Sequence, residues 1–192
     1  MEKVIENLDR NTINKKIRQL LPYVGMLVIG FGFLFIYAGV IDNFTLLQCE
    51  LIIVFGYIAA ILDIKTKYIP NTLVLILLAI WVFIMTPMLF FDTNTAVVLL
   101  KDSVIGFFVG GGLFLLVYLI SRKGLGGGDV KFMAVTGLYV GFAGILSVML
   151  YGSILAAITG LVLLLLKKIK RKDTIPLAPF LYIGILITVF YR

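Results

Sequence analysis

"VKFMAVTGLYVG", residues 130–141, follows the glycine-rich joint "GLGGGD" at 124–129 and precedes a longer apolar run at 145–166. A helix crossing a hydrocarbon core ~30 Å thick needs about 17 or more residues, and this run falls short of that. It reads either as a half-span or as part of a helix bent around Gly141 and Gly144. On that choice depends the side of a membrane that every later residue occupies.

The remaining apolar runs lie at 20–41, 46–62, 73–91, 103–120, 145–166 and 176–191, joined by short polar stretches. The 192-residue chain is 61% hydrophobic with a mean hydropathy of +1.12. An ordinary soluble domain is roughly 45–50% apolar. The pattern predicts an all-α polytopic membrane helical bundle of about seven hydrophobic segments, the fifth of them short. It divides into a basic cytoplasmic leader, 1–19, and a single membrane-embedded domain, 20–192. The first run carries no small-residue cleavage site, so it reads as a retained span and not as a removed signal.

The cations decide how the short run is counted. With the N-terminus in the cytoplasm and seven crossings, the leader (Lys3, Arg10, Lys15, Lys16, Arg18), Lys65, Lys67, Arg122, Lys123, Lys131 and the cluster Lys167, Lys168, Lys170, Arg171, Lys172 all fall inside. Only Lys101 and Arg192 fall outside, so 15 of the 17 cations share one side. An excess of Lys and Arg in cytoplasmic loops is the expected pattern for membrane proteins. Dropping the short run would move the 167–172 cluster outside. The net charge of +7 is therefore topological: spread over several joints, it predicts a lipid bilayer as partner and no nucleic acid. Histidine is absent and Cys49 is the only cysteine, so no His/Cys zinc site and no intramolecular disulfide is expected. No metal and no cofactor is predicted.

Seven crossings also relate two acids. Asp63 closes the second run in "ILDIKTKYIPN", and Asp129 opens the fifth in "GLGGGDVKF". Two complete spans separate them, which returns the chain to the side it left and brings both carboxylates to the cytoplasmic boundary. Two close carboxylates titrate in separated steps, so one holds a proton while the other is ionised. Such a pair can activate water and polarise a peptide carbonyl without a metal. Pro70, which lacks an N–H, suits the start of the third span. The glycines 126–128 allow backbone angles and close approaches that other residues do not.

Each acid also has a plainer reading. An Asp between glycines and a helix is commonly an N-cap, and Asp63 beside Lys65 and Lys67 reads as a solvated loop acid. Two ionisable residues at one membrane boundary weigh against both, because such residues are rare there and by default functional. Among the other acids, Asp42, Asp92 and Asp102 fall in or near outer joints and read as solvated. Glu50 reads as a boundary acid facing headgroups or another helix. Trp81 and the other aromatics read as lipid-facing or interfacial.

Taken together, "DIKTKYIPN", "GGGDVKFMAVTGLYVG" and "IPLAPFLYIG" resemble the type IV prepilin peptidase family of membrane aspartyl proteases, in the family's order over about residues 50–190. The resemblance implies that Asp63 and Asp129 are the catalytic aspartates and that Gly126 and Gly128 are the glycines of the G-x-G-D motif. Lys131, Pro70 and Asn71 match accompanying motif positions. The implied activity is cleavage of the basic leader of prepilin-like (class III signal) proteins at the cytoplasmic face of the cell membrane. Leu177 and Ala178 depart from the family's I-P-F-G-P element, a difference expected to affect local packing. With Cys49 alone, the chain resembles the short forms without a paired-cysteine domain, and N-methyl transfer is not expected. Competing readings are an intramembrane protease of the presenilin kind, a transporter that binds ions or protons through Asp63 and Asp129, and a non-catalytic assembly factor.

Overall fold

The computed structural model describes residues 24–121, 125–170 and 175–191. The leader at 1–19, Arg122, Lys123, Arg171, Lys172, Asp173 and Arg192 lie outside the described residues. Every named element is helical: α1 (Val24–Tyr37), α2 (Asn43–Thr66), α3 (Asn71–Phe91), α4 (Thr93–Ser121), α5 (Gly127–Leu165) and α6 (Ala178–Phe190). Helices α2 to α5 are each long and apolar enough to cross a membrane, while α1 and α6 are shorter apolar helices. The chain is thus an all-helical, multi-pass membrane protein.

The short fifth run forms the first arm of α5, set off from the rest by a kink. Within α5, Gly141 has φ 72° and ψ −173°, a combination open essentially to glycine alone. On α4, Gly110 lies against both Met133 and Ile145, and Gly106 lies against both Gly137 and Gly141. In a straight helix, residues 133 and 145 would stand roughly 18 Å apart. Facing one glycine together, they require the chain to double back at Gly141. The carboxylate of Asp102 fixes this reversal. Its Oδ1 accepts the Phe142 N–H at 3.1 Å, and a Cβ at Gly141 would land on the same carboxylate. The return arm thereby gains a cap of the kind that starts a new helix.

The contacts order the bundle end to end. Gly56 of α2 meets Tyr182 and Ile185 of α6, and Gly184 of α6 meets the Val148 carbonyl in the return arm. Asn71 of α3 bonds Lys131 near the start of α5, and Leu77 accepts from Tyr139 further along. Helices α3 and the first arm of α5 therefore run in the same direction, and α4 runs against that arm. One end of the bundle gathers the close of α2, the starts of α3, α5 and α6, and the close of the return arm. Gly106, Gly110 and Gly111 are what let α4 approach: a Cβ at Gly110 would sit 2.6 Å from the Met133 carbonyl, and one at Gly111 would sit 2.8 Å from Ala134 Cβ. Gly112, by contrast, has nothing within 4 Å of such a Cβ.

Several sequence expectations are corrected here. The first helix stops at Tyr37 and not near 41, because Gly39 at φ 84° turns the chain into α2. The joint expected at 92–102 shrinks to Asp92, with α4 beginning at Thr93. Asp42, Asp92 and Asp102 are exposed but are more than solvated acids. Asp42 accepts the Thr45 N–H and Asp92 the Thr95 N–H, so both cap helix starts as Asp102 does. Trp81 is buried, its indole N–H donating to the Leu138 carbonyl at 3.0 Å. Glu50 faces α1 at Gly30, the helix-facing option of its two expected settings, and its Oε2 is buried without a hydrogen bond.

Candidate active site

Asp63 lies inside the last turn of α2, which continues to Thr66 before Lys67 closes it in the left-handed conformation (φ 52°). The carboxylate is only 5% exposed, so the solvated-loop reading is overturned. Burial is possible because the carboxylate has found donors. Its Oδ2 accepts the Ala178 N–H at 2.9 Å, and the backbone of Leu177 also donates to it. These amides belong to the first turn of α6, where helix N–H groups lack carbonyl partners. The start of α6 thus serves as an anion cradle for an acid 115 residues earlier in the chain.

Asp129 is 8% exposed. The expected N-cap position belongs instead to Gly126, and α5 begins at Gly127, so Asp129 is the third residue of the helix. From there its Oδ2 reaches back to accept the Gly126 N–H at 3.2 Å, the geometry of the acid in a capping box. The capping reading therefore accounts for one carboxylate oxygen. The other, Oδ1, is buried without a hydrogen-bond partner, and leaving such an atom unpaired costs about 1–3 kcal/mol or more. The charge of Asp63 acts on this carboxylate. Two buried acids thus share one end of the bundle, one cradled by two amides and the other with an oxygen unused.

The remaining motif residues assemble around them. Pro70 is the N-cap of α3 and Asn71 its first residue. Lys131 Nζ donates to Asn71 Oδ1 at 3.0 Å, tying the start of α3 to that of α5. Gly128 packs on the loop before Pro70: a Cβ there would sit 2.9 Å from the Ile69 carbonyl and 3.1 Å from Ile69 Cβ. Its value is this close approach and not unusual backbone angles, since neither it nor Gly126 has a positive φ. Gly126 borders Asp129 Oδ2. Among the described residues, no three of His, Cys, Asp and Glu gather where they could hold a metal ion. Ala178 and Leu177 were expected to matter for packing, yet it is their amides that touch Asp63. Pro176 and Pro179, flanking them at a helix start, are the sequence feature that marks this turn.

Residues 50–161 match the type IV leader peptidase family. The chain is 33% identical over 132 residues to a prepilin leader peptidase/N-methyltransferase of Legionella pneumophila, covering 68% of this chain and 45% of that protein. It is 30% identical over 136 residues to the protein of the same name from Stutzerimonas stutzeri, covering 70% and 46%. A third, from Xanthomonas campestris, is 28% identical over 150 residues, covering 76% and 48%. The chain spans about half the length of these curated relatives. No solved structure matches it.

Proposed function

Because this chain belongs to the type IV leader peptidase family, we propose that it is a membrane aspartyl endopeptidase that removes the basic leader of prepilin-like proteins, with Asp63 and Asp129 as its catalytic pair. The observation that carries this reading is that two buried carboxylates with different surroundings lie at one end of the bundle, with the charge of one acting on the other.

The difference suggests their roles. Asp63, held by the Ala178 and Leu177 amides, is the member favoured as the anion, because hydrogen bonds and a helix N-terminus stabilise the ionised form. Asp129, with Oδ1 unpartnered and the charge of Asp63 acting on it, is the member favoured as the acid. Asp63 then takes a proton from water as the water oxygen bonds to the scissile carbonyl carbon. Asp129 gives a hydrogen bond, and then its proton, to the carbonyl oxygen. Collapse of the resulting diol breaks the C–N bond, with the proton held by Asp63 passing to the leaving nitrogen. The products are a new carboxyl terminus on the leader and a new amine on the mature protein. Asp129 regains a proton from the collapsing diol, so the pair ends as it began.

The topology extends the same reading. Counting the arms of α5 as two crossings gives seven with α1 and α6, and it puts the acids at the end that also carries Lys65, Lys67, Lys131, Lys167, Lys168 and Lys170. Cation excess supports that end as cytoplasmic, the side on which a leader awaits cleavage in the cell membrane. The proposal covers the peptidase activity alone and not the N-methyl transfer in the relatives' names.

The test is to incubate membranes containing the chain with a prepilin-like protein and determine the product masses. Cleavage between the basic leader and the apolar helix is expected. An intact substrate, with the enzyme present at normal level, would contradict the reading.

A further inference from the structure

One face of α3 bears an apolar groove that begins at the end of the bundle where the aspartates lie. Near the start of the helix it is about 360 Å³, walled by α3, by Phe107 of α4 and by Ala134 of α5. Beyond it, Leu75 and Leu78 lead onto the open outer side of α3, a shallow surface of about 640 Å³ lined by α3 alone as far as Pro87. Its residues on α3 recur at helical spacing on one side, as in surfaces that receive another helix through i, i+3, i+4 and i+7 contacts. From Asn71 to Pro87 the face is roughly 24 Å long, enough for most of the apolar part of a single membrane-crossing helix.

Only one end of the groove is polar. There Asn71 and Lys131 line it and bond to each other at 3.0 Å. Lys131 lies two residues beyond Asp129 in the first turns of α5, and Asn71 follows the Ile69–Pro70 loop against which Gly128 packs. The groove's mouth and the carboxylate pair therefore lie at the same end of the bundle. The bond between these two side chains uses one lysine proton and the amide oxygen, which leaves further lysine protons and the amide N–H₂ as donors.

We propose that this groove docks the apolar helix of the protein being cut, with Asn71 and Lys131 donating to backbone carbonyls of the extended segment that leads from that helix to Asp63 and Asp129. The proposal rests on the peptidase reading and adds where the substrate lies. A helix seated here delivers its N-terminal end to the acids, and the cut falls just before an apolar helix without any side chain having to specify it. Small and medium side chains such as Ala79 and Ala134 permit the close helix packing on which association in lipid depends.

The test separates docking from cleavage. In the full chain carrying Asp129→Asn, a photo-crosslinking residue is placed at position 79 in the groove, or at position 158 on the exposed outer face of α5. The probe is a single-span protein with a basic leader and a Leu/Ala/Val helix of about 20 residues. A covalent adduct at 79 and at least tenfold less at 158 is expected. Equal adducts at the two positions, or none at 79, would overturn the groove. In the active chain, Leu75→Trp and Ala79→Trp fill the groove and are expected to raise KM for the probe at least tenfold with kcat within about twofold of wild type. An unchanged KM would also overturn it. Adduct formation at 79 with no cleavage by the wild type would instead reject the peptidase reading while leaving the docked helix.

Discussion

At the residue scale, the two acids differ in what their oxygens touch, and that difference organises the site. Neither carboxylate could be buried in an apolar bundle without compensation. Asp63 receives it from the backbone of α6, while Asp129 receives only its own helix's Gly126 N–H. Beside them, Lys131 and Asn71 form one interaction between two helices. Removing either partner loses the same bond, worth about 0.5–1.5 kcal/mol. Lys131→Met and Asn71→Ala are each expected to lower kcat/KM several-fold. The double variant should lose clearly less than the product of the two losses, as coupled residues do. Multiplicative losses in the cleavage assay would mean that the two side chains act independently.

At the scale of elements, the reversal at Gly141 is what lets a fourteen-residue arm, 127–140, and its return be counted separately. Gly141→Ala would place a Cβ on the Asp102 carboxylate and hold alanine in a glycine-only conformation, with a cost of order 1–3 kcal/mol for the backbone alone. A clear fall in thermal unfolding temperature in detergent is expected. Asp102→Ala, which removes only the cap on Phe142, should cost about 0.5–2 kcal/mol. A Gly141→Ala protein as stable as wild type would show that the arms do not need this turn.

The same elements show what could be read beforehand. Apolar run lengths placed most helices within a few residues, because burial in lipid dominates their composition. The glycines at 141 and 144 marked a bend, but not its angle, since a glycine permits many conformations and only Asp102, some 40 residues away, selects one. The placement of Asp63 and Asp129 at one end of the bundle was legible from span parity. The Ala178 and Leu177 amides were not, because a backbone N–H leaves no signature in side-chain identity. Trp81 read as lipid-facing or interfacial for a related reason: its buried hydrogen-bond partner is the Leu138 main-chain carbonyl.

At the scale of the whole molecule, the bundle has two unlike ends. Among the described residues, the end with the aspartates bears Lys65, Lys67, Lys131, Lys167, Lys168 and Lys170, whereas Asp42, Asp92 and Asp102 cap helices toward the other. The proposed orientation predicts that Asn94→Cys in intact cells reacts with a membrane-impermeant maleimide and that Lys168→Cys reacts only after the membrane is opened. The reverse labelling would invert the protein and put its carboxylates outside. Many of the large side chains exposed on the rest of the described surface are apolar, as lipid exposure requires.

The central claim is that one end of the bundle holds a two-aspartate protease, and it is tested most directly by cleavage of a prepilin-like substrate by Asp63→Asn and Asp129→Asn chains present in the membrane at wild-type level. Each is an isosteric change that removes one acid–base group, and general acid–base catalysis contributes about 10²–10⁴-fold. Loss of at least a hundredfold in rate is predicted for both variants, with the unfolding temperature little changed. Wild-type cleavage by either one would contradict the account.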